Sequence, residues 1–132
     1  MIDAKNARKI LQIDDDLLFQ AICAKHLEKF DNIELIHASS VNQAMTLMAQ
    51  QSDIDMLLLD LALPDRDGFE FMKDLHTSGF TGKVAIISSQ PQSVIQMAET
   101  MAKSLPLNLV VCLQKPMNAE KLEALDKAIF SD

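Results

Sequence analysis

The 132-residue chain has no tryptophan or tyrosine, three glycines and two cysteines, and its 12 Lys and Arg are outnumbered by 19 Asp and Glu. Each shortage excludes something. With so little glycine, neither GxxxxGK[ST] nor GxGxxG occurs, so nucleotide binding through a phosphate-cradling loop is not expected. Cys23 and Cys112 lie far apart in apolar surroundings, with no CxxC or Cys/His spacing. They are expected to be two buried, reduced thiols that act as small hydrophobes. A net charge of −7 provides no basic face for unaided nucleic-acid binding. No apolar run exceeds five residues, whereas about 20 are needed to span a bilayer. The opening "MIDAKNARK" lacks the apolar stretch of a signal peptide, and a cytoplasmic location is expected.

What the chain does have is 48% hydrophobic residues, enough for one domain with a substantial core spanning 1–132. Short apolar segments alternate with segments of helical period. "KILQID" (9–14) reads as a strand, and Phe19, Ile22, Cys23, His26 and Phe30 then form one helical stripe. "IELIHAS" (33–39) is a second strand. Ser40 is placed to cap a helix carrying Val41, Ala44, Met45 and Met48. "MLLLD" (56–60) and "KVAIIS" (83–88) are further strands, separated by the helix "GFEFMKDLHTSG", which Gly79 closes. Val94, Met97, Ala98, Met101 and Leu105 mark a long amphipathic helix. "LNLVVCL" (107–113) is the fifth strand, and Asn118 caps a last helix bearing Leu122, Leu125 and Ile129.

Five strands alternating with five helices specify an α/β, doubly wound parallel sheet covered on both faces, with right-handed crossovers. Apolar runs that hardly alternate are what strands buried on both faces show. Met45, Met48, Met97 and Met101 are accordingly expected in the core. His26, His37 and His76 have no metal-ligand spacing and are expected to be structural or solvated. In such sheets the ligand site lies outside the carboxyl ends of the strands. Those ends carry Asp14-Asp15-Asp16, Asp60, Ser88-Ser89 and Gln114-Lys115-Pro116. Crowded carboxylates raise one another's pKa unless a cation compensates, and a hard divalent ion, Mg²⁺ above all, is the natural partner. Each residue taken singly has a plainer role. Asp16 reads as a helix cap, Asp60 as a turn residue, Ser88 as a satisfied hydroxyl and Lys115-Pro116 as a loop. Their joint placement on one rim is what points to chemistry.

The motifs "ILQIDDD", "LLLDLALPDRDG", "VAIISS" and "LQKP", in that order and at those strand ends, resemble the receiver domain of two-component response regulators. The resemblance covers essentially the whole chain. It implies a flavodoxin-like (βα)5 sandwich with strand order 2-1-3-4-5. It also implies Mg²⁺-dependent phosphorylation of Asp60 by a histidine kinase or histidine phosphotransfer protein. In the metal site, Asp15 would ligate directly, Asp14 mainly through water, and Ala62 through its backbone carbonyl. Ser88 and Lys115 would contact the phosphoryl oxygens. The output face implied is helix 4, strand 5 and helix 5, which would engage a downstream effector or form a homodimer.

Three departures from the family stand out. Cys112 occupies the position that usually carries an aromatic switch residue, and Ser89 stands where a very small residue is usual. The segment from Ser88 to Lys115 is longer than usual, which predicts an extended fourth helix and an ordered loop through Pro106. A similar pattern occurs in receivers attached to EAL-type cyclic-di-GMP phosphodiesterase domains. Whether the chain stands alone or belongs to a longer protein stays open at this point. A receiver-like binding module that works without phosphorylation is one alternative. The other is a phosphohydrolase with an aspartyl-phosphate intermediate. Asp14 and Asp16 have its D-x-D spacing, but the usual following Thr or Val and a substrate-selecting cap domain are lacking.

Overall fold

The computed structural model describes residues 7–131, in which strands and helices alternate strictly. They are β1 (Arg8–Ile13), α1 (Leu17–Leu27), β2 (Ile33–Ala38), α2 (Val41–Gln50), β3 (Met56–Leu59), α3 (Gly68–Ser78), β4 (Lys83–Ser88), α4 (Gln92–Ser104), β5 (Asn108–Gln114) and α5 (Ala119–Phe130). All pairings are parallel, and the sheet order is β2-β1-β3-β4-β5, as expected. Among the described residues, no helix is long and apolar enough to cross a membrane.

Side chains alternate across the sheet and separate two apolar layers. Leu11, Ile13, Leu57, Leu59 and Ile86 face one side, where Val41 and Ala44 of α2, Phe71, Met72 and Leu75 of α3, and Ile95, Ala98 and Ala102 of α4 pack on them. Ile10, Met56, Leu58, Ala85 and Ile87 face the other, against Phe19, Cys23 and Leu27 of α1 and Leu125, Ala128 and Ile129 of α5. Every residue of β3 is buried. Each large apolar side chain so buried contributes roughly 1.5–3 kcal/mol, so the carboxyl ends of β1 and β3 are held from both faces. β5 is an edge strand whose residues, apart from exposed Asn108, are half-buried, and a bulge leaves Val110 unmatched against β4.

Asp16, Ser40 and Asn118 cap helices as expected, Asp67 also caps α3, and α4 starts after Pro91 without a side-chain cap. Asp16 accepts from the N–H groups of Leu18 and Phe19, Ser40 from Gln43, Asp67 from Phe69, and Asn118 from Lys121. α3 ends at Gly79, whose φ of 78° is the left-handed conformation that favours glycine. α4 runs 13 residues, and Leu105 and Pro106 lead into β5.

Three packing expectations need correction. Met97 is 62% and Met45 43% exposed. The buried line of α4 is Ile95, Ala98 and Ala102, rotated by one residue from the methionine stripe, because small alanines bring this helix close to the sheet. Ile22 likewise lies at the margin of α1 and is exposed. Cys23 is buried as expected, but Cys112, on the edge strand, is only half-buried. Burial pushes the Cys23 thiol up to about 12 and the Cys112 thiol to about 11, so both are protonated at neutral pH.

Candidate functional site

The register of the sheet brings the first two carboxylates together. Ile13 of β1 pairs with Leu59 of β3. The ladder continues one residue further, with the Asp60 N–H donating to the Ile13 carbonyl and the Asp14 N–H to the Ala38 carbonyl, both at 3.0 Å. Asp14 and Asp60 therefore leave neighbouring strands at the same level and on the same face. Asp14 is 1% and Asp60 5% exposed, whereas Asp15 is open to solvent. One carboxylate oxygen from each of the three lies within 4.8 Å of the others.

Lys115 reaches this cluster from the loop after β5. Its Nζ lies 2.8 Å from Asp14 Oδ2, 3.6 Å from Asp60 Oδ2 and 4.0 Å from Asp16 Oδ2. It also stands 4.3 Å above the centre of the Phe19 ring, a cation–π contact that holds the ammonium under the carboxylates. Asp14 Oδ1 accepts from the Asp16 N–H at 2.9 Å. Even so, burial holds the Asp14 carboxyl above the usual carboxylate range, and the Asp60 charge adds to this, while Lys115 and the Asp16 N–H oppose it. One ammonium offsets three carboxylates only in part. The remaining hard oxygen donors, reachable from solvent beside Asp15, suit a divalent cation with oxygen ligands.

The loop from Asp60 to Gly68 is folded back tightly. The Ala62 N–H donates to Asp60 Oδ1 at 3.3 Å, Ala62 bridges Asp67, and the Gly68 N–H donates to the Leu61 carbonyl at 3.3 Å. A Cβ at position 68 would meet the Leu61 Cα at 2.8 Å, so only glycine allows this approach. Ser88, fully buried, accepts the Gln90 N–H on its Oγ at 3.3 Å, and its carbonyl accepts the Lys115 N–H at 2.8 Å. The D-x-D alternative loses its second member here, because Asp16 is exposed and engaged in capping α1.

Some residues at this rim have contacts that sequence reasoning did not reach. Gln20 Nε2 donates to the Asp14 carbonyl at 2.5 Å, tying α1 to the site. Gln114 Nε2 donates to the Gln90 carbonyl at 3.0 Å, clamping the β4–α4 loop to β5. Lys121 Nζ bonds the carbonyls of Gln114 and Pro116 at 2.5 and 3.1 Å. Such contacts join side chain to backbone across long separations, and periodicity carries no signal of them. Phe19 was visible, but only as a core residue. His26, isolated in sequence, donates from Nε2 to the carboxylate of Asp126 on α5, 2.8 and 3.1 Å from its two oxygens, a structural tie between α1 and α5.

The model of the response regulator receiver domain family matches residues 10–126. The chain belongs to that family. Among curated relatives of this receiver, a probable C4-dicarboxylate response regulator, DctR, of Priestia megaterium is 25% identical over 90% of the chain and 50% of its own length. The cyclic di-GMP phosphodiesterase RocR of Pseudomonas aeruginosa is also 25% identical, over 91% of the chain and 31% of its own length. The receiver thus spans half or less of the length of these relatives. Its fold matches a CheY-like response regulator receiver domain protein from Methanospirillum hungatei with a TM-score of 0.76, at 19% identity, covering 93% of this chain and 94% of the other.

Proposed function

We propose that this receiver accepts a phosphoryl group on Asp60 from a phosphohistidine of a histidine kinase or phosphotransfer protein. The observation that carries the reading is the meeting of Asp14, Asp15 and Asp60 within 4.8 Å beside the Lys115 ammonium. In the transfer, a carboxylate oxygen of Asp60 bonds to phosphorus as the P–N bond of the donor breaks, and the electron pair returns to the imidazole. Mg²⁺, held by Asp14, Asp15, Asp60 and the Ala62 backbone carbonyl, would neutralise charge on the transferring oxygens. Asp60 is kept rigid by the strand end, which supplies the positioning on which such reactions depend. Lys115, steered by Phe19, lies within reach of oxygens added at Asp60, and Ser88 offers its hydroxyl proton to the same group.

Phosphorylation adds charge and acceptor oxygens at this rim. Turning the Ser88 hydroxyl toward the phosphoryl group would move the oxygen that accepts from Gln90, the residue whose carbonyl Gln114 holds. Without an aromatic at position 112, this Ser88–Gln90–Gln114 connection is the route by which the change reaches β5. The output face is helix 4, strand 5 and helix 5, serving an effector or a homodimer in the cytoplasm. The receiver domain itself acts as a phosphoacceptor that promotes its own phosphorylation and dephosphorylation.

Beryllofluoride with Mg²⁺, a stand-in for the phosphoryl group, tests the switch by amide NMR. Shifts are expected at Ala62, Ser88, Gln90 and Gln114 and along β5, and none without Mg²⁺. An unchanged spectrum would favour the module that works without phosphorylation.

A further inference from the structure

The loop that follows Asp60 has an anchor that the chemistry above does not use. An α-helix begins with backbone N–H groups that have no partner within the helix, and a capping side chain ordinarily satisfies one or two of them. At the start of α2, Ser40 Oγ takes only the Gln43 N–H, at 3.1 Å. The Val41 and Asn42 N–H groups donate instead to Asp65, 3.0 Å to Oδ1 and 2.9 Å to Oδ2. One carboxylate from the β3–α3 loop thus caps a helix that begins 24 residues earlier. Its charge suits the positive end of the α2 dipole, and both bonds are charge-assisted. Those backbone donors hold the Asp65 carboxyl below the usual carboxylate range, Asn42 most of all.

Two of the loop's internal ties are weaker than this anchor. The Ala62–Asp60 and Gly68–Leu61 bonds are both 3.3 Å long, at the weak end of the range. The two Asp65 bonds are shorter and reach a different element. On the next residue, the Arg66 guanidinium lies 2.7 Å from Asp74 Oδ2 on α3. The loop is therefore pinned to α2 at Asp65 and to α3 at Arg66, and Ala62 hangs between that anchor and the end of β3.

We infer that Asp65 is a positioning residue for the reaction at Asp60, holding the β3–α3 loop against α2 so that the Ala62 carbonyl stays aimed at the cation site. The inference rests on the reading of Asp60 and Ala62 given above. Asp65 is not among the residues that would hold the cation or contact the phosphoryl group. Its effect passes through the loop.

The test uses Asp65→Ala and the milder Asp65→Asn, followed by amide NMR first without metal and then in a Mg²⁺ titration. In both variants the Val41 and Asn42 resonances should move as their bonds are lost or weakened. The Mg²⁺ midpoint should rise about fivefold in Asp65→Ala and less in Asp65→Asn, which keeps one acceptor oxygen. Repeating the titration at about 0.5 M KCl, where the screening length is only about 4 Å, separates positioning from loss of a nearby negative charge. A raised midpoint that persists in salt supports positioning. A midpoint equal to wild type, or one that becomes equal in high salt, overturns it. If wild type itself shows no Mg²⁺-dependent shift at Asp15 and Ala62, the reading of the site falls, and this inference falls with it.

Discussion

Asp14→Asn should make the metal-free protein more stable while removing its response to divalent cations. Burial is the main reason the Asp14 carboxyl titrates above the usual carboxylate range, and the Lys115 ion pair at 2.8 Å does not compensate fully. The folded protein therefore holds this proton more tightly than the unfolded chain does. The Asp14 contribution to stability is then greatest below the ordinary carboxylate pKa. It is lost as pH rises through the interval up to the raised folded value, and at neutral pH the whole cost is present. An amide of the same shape has no charge to desolvate. A gain on the order of 1 kcal/mol, or about 4 °C in melting temperature at this size, is expected at pH 7 without metal. The gain should shrink as pH falls through the raised folded value and vanish below the ordinary carboxylate pKa. Mg²⁺ should raise the wild-type melting temperature and leave that of Asp14→Asn nearly unmoved. A variant less stable than wild type at pH 7 would show that the Lys115 pair outweighs burial.

Lys115→Met should have the opposite sign and a larger size. The lysine side chain is 11% exposed, and its ammonium lies within 4.0 Å of Asp14, Asp16 and Asp60. Removing one partner of a buried pair leaves an uncompensated charge, at roughly 3–5 kcal/mol. Because Asp15 opens the cluster to solvent, the lower figure applies, about 3 kcal/mol or some 10 °C. Met keeps the contact with the Phe19 ring, so the loss reports charge more than packing. Acid or Mg²⁺ should restore part of the stability, since each relieves the carboxylates by another route. Thermal melts of both variants with and without Mg²⁺ measure this directly, and an unchanged melting temperature for Lys115→Met would contradict it. A pocket that is stabilised by losing an anion and destabilised by losing its cation is one arranged for a second cation at the expense of the fold.

The same physics explains what was readable in the sequence. Unbroken runs such as "MLLL" are what strands buried on both faces show, and their alternation with helical segments pointed to a parallel sheet covered on both sides. The positions of Asp14, Asp60, Ser88 and Lys115 followed because each terminates such a run. Strand order, the fitness of Ala62 and the individual roles came from family resemblance, since spacing does not say which strands are neighbours. Where pattern misled, it did so at helix margins. Met45 and Met97 fit an apolar stripe, but the neighbouring Ala44 and Ala98 are the residues that meet the sheet. The ties that lock the rim, Asp65 to α2, Gln114 to the β4–α4 loop and Gln20 to the Asp14 carbonyl, join polar side chains to distant backbone. Such side chains look like surface until the fold brings the backbone to them.

Intact-mass spectrometry after incubation with Mg²⁺ and acetyl phosphate decides whether Asp60 is a phosphoacceptor. Wild type should gain the mass of one phosphoryl group, and the adduct should be absent both from Asp60→Asn and from wild type without Mg²⁺. An adduct that survives in Asp60→Asn, or wild type that remains unmodified with Mg²⁺ present, would contradict the proposed chemistry.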